Sequence, residues 1–248
     1  MLENWPRPLV IGHRGACALA PENTLASFEL AIQHKADAIE FDVKLSSDQQ
    51  VVVIHDQSVD RTTNGKGKVQ HLSLTELRAL DAGGKFSQKY SNEKIPTLDE
   101  VFENLGNRIL MNVELTNYST PFDHLVTKVS DLVIKHGLEE RIIFSSFLKR
   151  NLMTARHLLP GVPCGLLAYS GWLGYFPRHY GWKKNFQALH PYLTDVNQGL
   201  VQNVHNEGKR IHVWTVNGEN NIRKMLELRV DGIFCDDPGL VRQIMDKG

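Results

Sequence analysis

Short apolar runs interrupted by charge recur along the chain at the spacing of an alternating strand–helix protein. Leu9-Val10-Ile11, Ala38-Ile39-Glu40-Phe41-Asp42-Val43, Val51-Val52-Val53-Ile54 and Ile109-Leu110-Met111-Asn112-Val113-Glu114-Leu115 have strand length and many β-branched side chains. Helical spacing appears between them. Leu25, Phe28 and Ile32 fall on one face of a helix that Asn23 can cap, and further helices are expected near 121–136, 149–158, 198–207 and 219–228. Such alternation predicts an α/β fold with a parallel sheet. Strands are predicted at about 8–12, 37–43, 109–115, 141–145, 163–168, 186–190, 210–215 and 231–236. The count is eight only if 51–55 is the returning arm of a hairpin that extends the second strand. A chain of 248 residues has the usual size for one TIM (β/α)8 barrel around a single large core.

Residues 56–108 do not fit one strand–helix repeat. Asn64-Gly65-Lys66-Gly67-Lys68 reads as a turn, Ser73-Leu74-Thr75-Glu76 as a capping box opening a short helix, and Asp81-Ala82-Gly83-Gly84 as its end. A small subdomain inserted after the second strand accounts for this stretch, with 1–248 otherwise one domain.

The charges inside the strand patterns need an explanation, because a charge on a buried strand costs free energy unless it is paired. His13-Arg14-Gly15 closes the first run and His55-Asp56 the third, while Glu40 and Asp42 sit within the second. Strand side chains alternate, so Glu40 and Asp42 share a face opposite to Ile39, Phe41 and Val43. Taken alone, that pair also fits an edge strand with a solvated acidic face. A two-residue turn at Asp48-Gln49 would pair Ser47 with Gln50 and Asp42 with His55, bringing Glu40, Asp42 and His55 to one side. Asn112 and Glu114 share a face in the same way. Three carboxylates from separate strands make an all-oxygen set suited to a hard divalent cation, Mg²⁺ or Ca²⁺. Zinc has little support, since no Cys-x-x-Cys pair or His-x-x-x-His helix spacing occurs.

Composition narrows the remaining classes. Lys plus Arg equals Asp plus Glu at 28 each, so no global field attracts nucleic acid, and an anionic substrate must be captured by local charge. Cys17, Cys164 and Cys235 are odd in number and widely spaced, unlike a disulfide framework; Cys17 reads as a small buried or loop thiol near the predicted site. The N-terminal residues show no signal-peptide pattern, and no run reaches the roughly 18 apolar residues of a membrane span. A cytoplasmic protein without a transmembrane segment is expected.

Together the motifs are recognisable. His13-Arg14-Gly15, Pro21-Glu22-Asn23-Thr24, Ile39-Glu40-Phe41-Asp42-Val43 and His55-Asp56 resemble the glycerophosphodiester phosphodiesterase family, cytosolic bacterial type. Arg61-Thr62-Thr63, Asn112-Val113-Glu114, Ser145-Ser146-Phe147, Val213-Trp214-Thr215-Val216-Asn217 and Asp236 extend the likeness, in order, over nearly the whole chain. The resemblance implies a TIM-barrel enzyme that cleaves small-molecule glycerophosphodiesters to sn-glycerol 3-phosphate and an alcohol, with the insert over the barrel mouth. It implies acid–base roles for His13 and His55, a divalent metal on Glu40, Asp42 and Glu114, and phosphate contact by Arg14. Alternatives are a phospholipase D-like or cyclic-phosphate-forming relative, or a non-catalytic barrel that binds a phosphorylated ligand. Two positions depart from the family. Thr116 stands where Lys is usual, so Lys44 or Arg61 is expected to supply the missing charge, and Cys235 stands where Thr is usual. Trp214 is expected to wall the pocket against the glycerol carbons or to pack in the core. The aromatic stretch 169–185, with Trp172, Tyr175, Phe176, Tyr180 and Trp182, can be a lid, a choline-binding surface, an interface patch or packing beneath a loop.

Overall fold

In the computed structural model, which describes residues 2–247, eight parallel strands close into a ring. They are β1 (Leu9–His13), β2 (Ala38–Leu45), β4 (Leu110–Leu115), β5 (Ile142–Ser146), β6 (Cys164–Ala168), β7 (Ala188–Pro191), β8 (Arg210–Val213) and β9 (Gly232–Cys235). β1 pairs with β2 on one side and with β9 on the other, which completes the TIM barrel. The short β3 (Val51–Val53) returns antiparallel along β2, outside the ring.

Alternation along β2 divides two environments. Ile39, Phe41 and Val43 point outward into the main core, where Phe28 packs against Phe41 at 5.5 Å between ring centroids. Each such fully buried side chain contributes roughly 1.5–3 kcal/mol. Leu9, Ile11, Ala38, Ile143 and Phe234 form a separate core, against which Leu2 and Trp5 pack. The helices of the outer layer are α1 (Leu25–Gln33), α3 (Leu98–Leu105), α4 (Leu125–His136), α5 (Lys149–Leu158), α6 (Gln198–Asn206), α7 (Glu219–Glu227) and α8 (Pro238–Asp246). The short α2 (Leu74–Ala79) lies in the insert and opens with the expected capping box of Ser73 and Glu76.

Four details differ from the sequence reading. The cap of α1 is Thr24, whose hydroxyl accepts from Ser27 N at 3.2 Å; Asn23 lies one residue too early, in a left-handed conformation (φ 57°). The hairpin pairs Val43 with Val53 and Leu45 with Val51, one residue away from the expected register. Ser46 N donates to Gln50 O at 3.0 Å and the Ser46 hydroxyl accepts from Gln50 N at 2.9 Å, which closes a three-residue turn with Gln49 at φ 64°. Ile54, not His55, therefore faces Asp42, donating its N–H to Asp42 O at 2.9 Å. The insert has its own small core of Val52, Ile54, Val59, Val69, Leu77 and Ile95, with Ala82 at its edge, whereas α3, within the expected 56–108 span, packs on the barrel. Finally, α8 was not among the expected helices; Asp237 caps it, accepting from Leu240 N at 3.1 Å, and Pro238 occupies its first turn.

Candidate active site

Parallel register builds the carboxylate cluster. His13 lies beside Glu40, Glu40 beside Asn112, and Asp42 beside Glu114. All of these side chains line one cleft, and the Glu40, Asp42 and Glu114 oxygens fall within 4.8 Å of one another. Burial and the neighbouring Asp42 and Glu114 charges hold the Glu40 carboxyl well above the usual range. Burial and Asp42 likewise push Glu114 up to about 8, against the Tyr118 hydroxyl that donates to its Oε1 at 2.7 Å. Asp42 goes the other way: burial opposes its ionisation, but the charge of Arg14 leads the effects that hold its carboxyl below the ordinary value, helped by Asn23 Nδ2 at 2.9 Å. Carboxyls crowded until two of them resist ionisation suit a cation that would relieve their repulsion. The buried Asn112 Oδ1, without a hydrogen-bond partner, adds a neutral oxygen on the same cleft. This donor set fits a hard divalent ion.

The turn after β1 places Arg14. Gly15 sits at φ 87°, and a Cβ there would lie 2.3 Å from Ser27 Oγ, so only glycine fits. Arg14 is itself left-handed (φ 53°), with its backbone N donating to Glu40 Oε2 at 2.9 Å. Its guanidinium pairs with Glu22 at 2.9 Å and approaches Asp42 at 3.6 Å, while Nε is buried without a hydrogen-bond partner. An unused buried donor beside a cleft fits an anionic ligand.

Both histidines line this cleft, and each is gripped from behind by a carboxylate. His13 Nδ1 lies 2.7 Å from Asp236 Oδ1, and His55 Nδ1 lies 2.7 Å from Asp56 Oδ1. That leaves Nε2 of each ring as the nitrogen free for proton exchange. The two grips differ. Asp236 also accepts from Cys17 Sγ at 3.1 Å and Asn217 Nδ2 at 2.5 Å, whereas Asp56 is clamped by Arg61 through Nε at 2.7 Å and Nη2 at 3.0 Å. Arg61 reaches on to Glu22 at 2.6 Å, so an ionic chain links Arg14 to His55. His55 reaches the cleft despite the shifted hairpin because β3 ends at Val53 and pleat alternation no longer governs it.

Trp214 lines the cleft with Phe147, Leu167 and Phe234, and its Nε1 donates to His190 O at 2.8 Å. Lys44 is off the cleft wall: its buried ammonium donates to Thr116 Oγ1 at 2.7 Å and Thr116 O at 2.9 Å. Arg61 is committed to Glu22 and Asp56. Cys17 is half-buried, and burial together with Asp236 drives its thiol pKa far up. Cys235 is buried against Ile11 O at 3.5 Å. Sequence reasoning assigned no role to Asp56, Asp236 or Glu22, and only a helix cap to Asn23, although their motifs carried the resemblance. Tyr118, in the loop after β4, had no pattern signal at all.

Comparison with known proteins gives the family. The model of the glycerophosphoryl diester phosphodiesterase family matches residues 13–240. A glycerophosphodiester phosphodiesterase of Caldanaerobacter subterraneus subsp. tengcongensis is 38% identical, over 98% of this chain and 99% of its own. A solved phosphodiesterase of Oleispira antarctica, in complex with the product sn-glycerol-3-phosphate, superposes with a TM-score of 0.85 at 30% identity, covering 97% of each chain. A putative glycerophosphoryl diester phosphodiesterase of Silicibacter pomeroyi reaches a TM-score of 0.88 at 27% identity, over 99% of this chain and 97% of that one. With a family match spanning nearly every residue and a barrel mouth that gathers its motifs, the chain belongs to the glycerophosphoryl diester phosphodiesterase family.

Proposed function

We propose that this chain hydrolyses glycerophosphodiesters to sn-glycerol 3-phosphate and an alcohol, with a divalent cation, Mg²⁺ or Ca²⁺, on Glu40, Asp42 and Glu114, and with His13 and His55 as the proton-transfer pair. The observation that carries the reading is the meeting of two carboxylate-held histidines and three crowded carboxylates on one cleft. When bound, the cation supplies positive charge against the phosphate oxygens as negative charge develops. Arg14, on the cleft wall, adds its positive charge against the same anion. One imidazole takes a proton from the water whose oxygen bonds to phosphorus and the other gives one to the alkoxide whose P–O bond breaks, each steadied by the carboxylate at its Nδ1. Phe147, Leu167, Trp214 and Phe234 wall the cleft with apolar surface that excludes water and accepts the glycerol carbons. Lys44 is too deep for direct substrate contact; beside Thr116 it serves as a buried counter-charge to Asp42 and Glu114.

Phosphorus NMR of glycerophosphocholine turnover tests this. Chelator-treated protein should be inactive, Mg²⁺ or Ca²⁺ should restore product formation, and Glu40→Gln should stay inactive with either ion. Full turnover in excess chelator would overturn the metal-dependent reading.

A further inference from the structure

Residues 169–185, between β6 and β7, leave the barrel at the end that carries the cleft, and they are firmly tied down. Buried Arg178 donates to Tyr169 O at 2.7 Å and Gly171 O at 2.8 Å and pairs with Asp195 at 3.1 Å. Trp182 is fully buried, its Nε1 donating to Arg178 O at 2.7 Å. Of the aromatics that the sequence singled out here, Trp182 is thus packing, and the others are not.

On this fixed base stand Trp172, Leu173, Tyr175, Phe176 and Tyr180, between 55% and 83% exposed. Tyr175 lies 4.5 Å from His179, His179 6.2 Å from Tyr180 and Tyr180 5.8 Å from Phe176, so these four rings are joined, with Trp172 and Leu173 on the turn before them. At the start of the same segment Tyr169 stacks at 3.9 Å on Phe147 of the cleft wall. At about 200 Å² per large apolar side chain the five expose roughly 650 Å², at the upper end of the largest patch on a typical monomer. Its placement is one-sided. Among the described residues, the only other exposed aromatics are Phe86 in the insert and Phe122 in the loop after β4, also on segments that follow the carboxyl ends of barrel strands. Exposed large side chains on the outer helices are single aliphatics: Ile134, Met153 and Leu158.

The free charge on the segment is positive. Residues 169–185 contain no Asp or Glu; the acids that touch them are taken up, Asp195 by Arg178 and Gly171 N and Glu207 by Lys183, which leaves Lys184 exposed. Arg150 lies 3.9 Å over the Phe122 ring, next to exposed Lys149. Trp, Tyr and Phe edged by Lys and Arg match the headgroup region of an anionic lipid layer. The area falls short of the ~800 Å² per partner of a standard protein interface. We propose that the barrel mouth docks on an anionic lipid surface through the 169–185 segment, so that the cleft opens toward the lipid–water interface.

Flotation with vesicles of phosphatidylcholine containing phosphatidylglycerol tests this without any need for turnover, so a failure of the proposed hydrolysis would leave it standing. The full chain should float with these vesicles, less with pure phosphatidylcholine. A Trp172→Ser, Phe176→Ser double variant should lose at least about tenfold in partitioning while hydrolysing dissolved glycerophosphocholine at the parent rate. Because Trp5 and Trp182 are buried and Trp214 is partly buried in the cleft with its Nε1 bonded to His190 O, the emission of Trp172 should shift to the blue on vesicle addition, and Trp172→Phe should abolish most of that shift. Absence of flotation, or equal flotation of the double variant, overturns the proposal. So does sedimentation of the parent as a dimer that the double variant dissolves, which would assign the patch to a second copy of this chain.

Discussion

Replacing Asp236 by Asn removes one charge and leaves the volume unchanged, yet the surroundings of Asp236 make it a severe change. Both carboxylate oxygens act as acceptors: Oδ1 takes His13 Nδ1 at 2.7 Å and Cys17 Sγ at 3.1 Å, and Oδ2 takes Asn217 Nδ2 at 2.5 Å. An amide has one acceptor oxygen. If its NH2 faces Asn217, two donors collide; if it faces His13, the imidazole must carry its proton on Nε2, the wrong nitrogen for accepting one from the cleft. Charge adds to this. The two side chains are 21% and 30% exposed, so the pair lies between the ~1 kcal/mol of water and the ~4 kcal/mol of a protein-like medium at 4 Å. About 2 kcal/mol is a fair middle value, roughly 30-fold in rate, and tautomer loss should bring the fall in kcat to about 10²–10³-fold. Asp236 does not line the cleft, so KM should stay within several-fold. Steady-state kinetics on glycerophosphocholine, with a melting curve to verify folding, supply the measurement. A folded Asp236→Asn protein whose kcat lies within twofold of the parent would refute the orienting role.

Two further outcomes follow from buried groups. Thr116→Lys should lower activity and melting temperature, because the new ammonium would meet the Lys44 Nζ that now donates to Thr116 Oγ1 at 2.7 Å; adding Lys44→Gln should recover much of both, and a gain in kcat/KM from Thr116→Lys alone would contradict this. His190 is fully buried with both ring nitrogens unpaired, and burial pushes its pKa down to about 3. The unfolded chain takes up this proton below about pH 6.5 and the folded one does not, so stability should fall as pH drops from 6.5 toward 3, by up to ~1.4 kcal/mol per pH unit for this group. Urea unfolding at pH 7 and pH 5 should show a smaller loss for His190→Leu; parallel losses would count against it.

The strands and the two faces of β2 were legible because alternation is a local property: that Glu40 and Asp42 share one face and Phe41 and Val43 the other follows from spacing alone, while barrel closure decides which face lines the cleft. The hairpin was legible in kind but not in register, since the choice between two and three turn residues rests on the Ser46 side chain bonding to Gln50 N. That His55 lines the cleft owes more to the early end of β3 than to the pairing foreseen. Asp236 could not be tied to His13 by any pattern, because ring closure brings them together across the whole chain. Thr116 was visible as a departure, but the burial of Lys44 against it depends on the parallel neighbours β2 and β4.

The bond between His13 and Asp236 joins positions 223 residues apart, the end of the first strand of the ring and the residue just after the last. A ribosome makes the three crowded carboxylates first, since Glu114 precedes by 122 residues the Asp236 that holds His13. At roughly 5–20 residues per second, the gap between Glu114 and Asp236 lasts on the order of ten seconds. Throughout that interval the nascent chain carries an acidic cluster and an unsteadied imidazole. With the roles proposed for His13 and Asp236, a half-made barrel would be a poor catalyst, and hydrolysis would wait for the ring to be sealed.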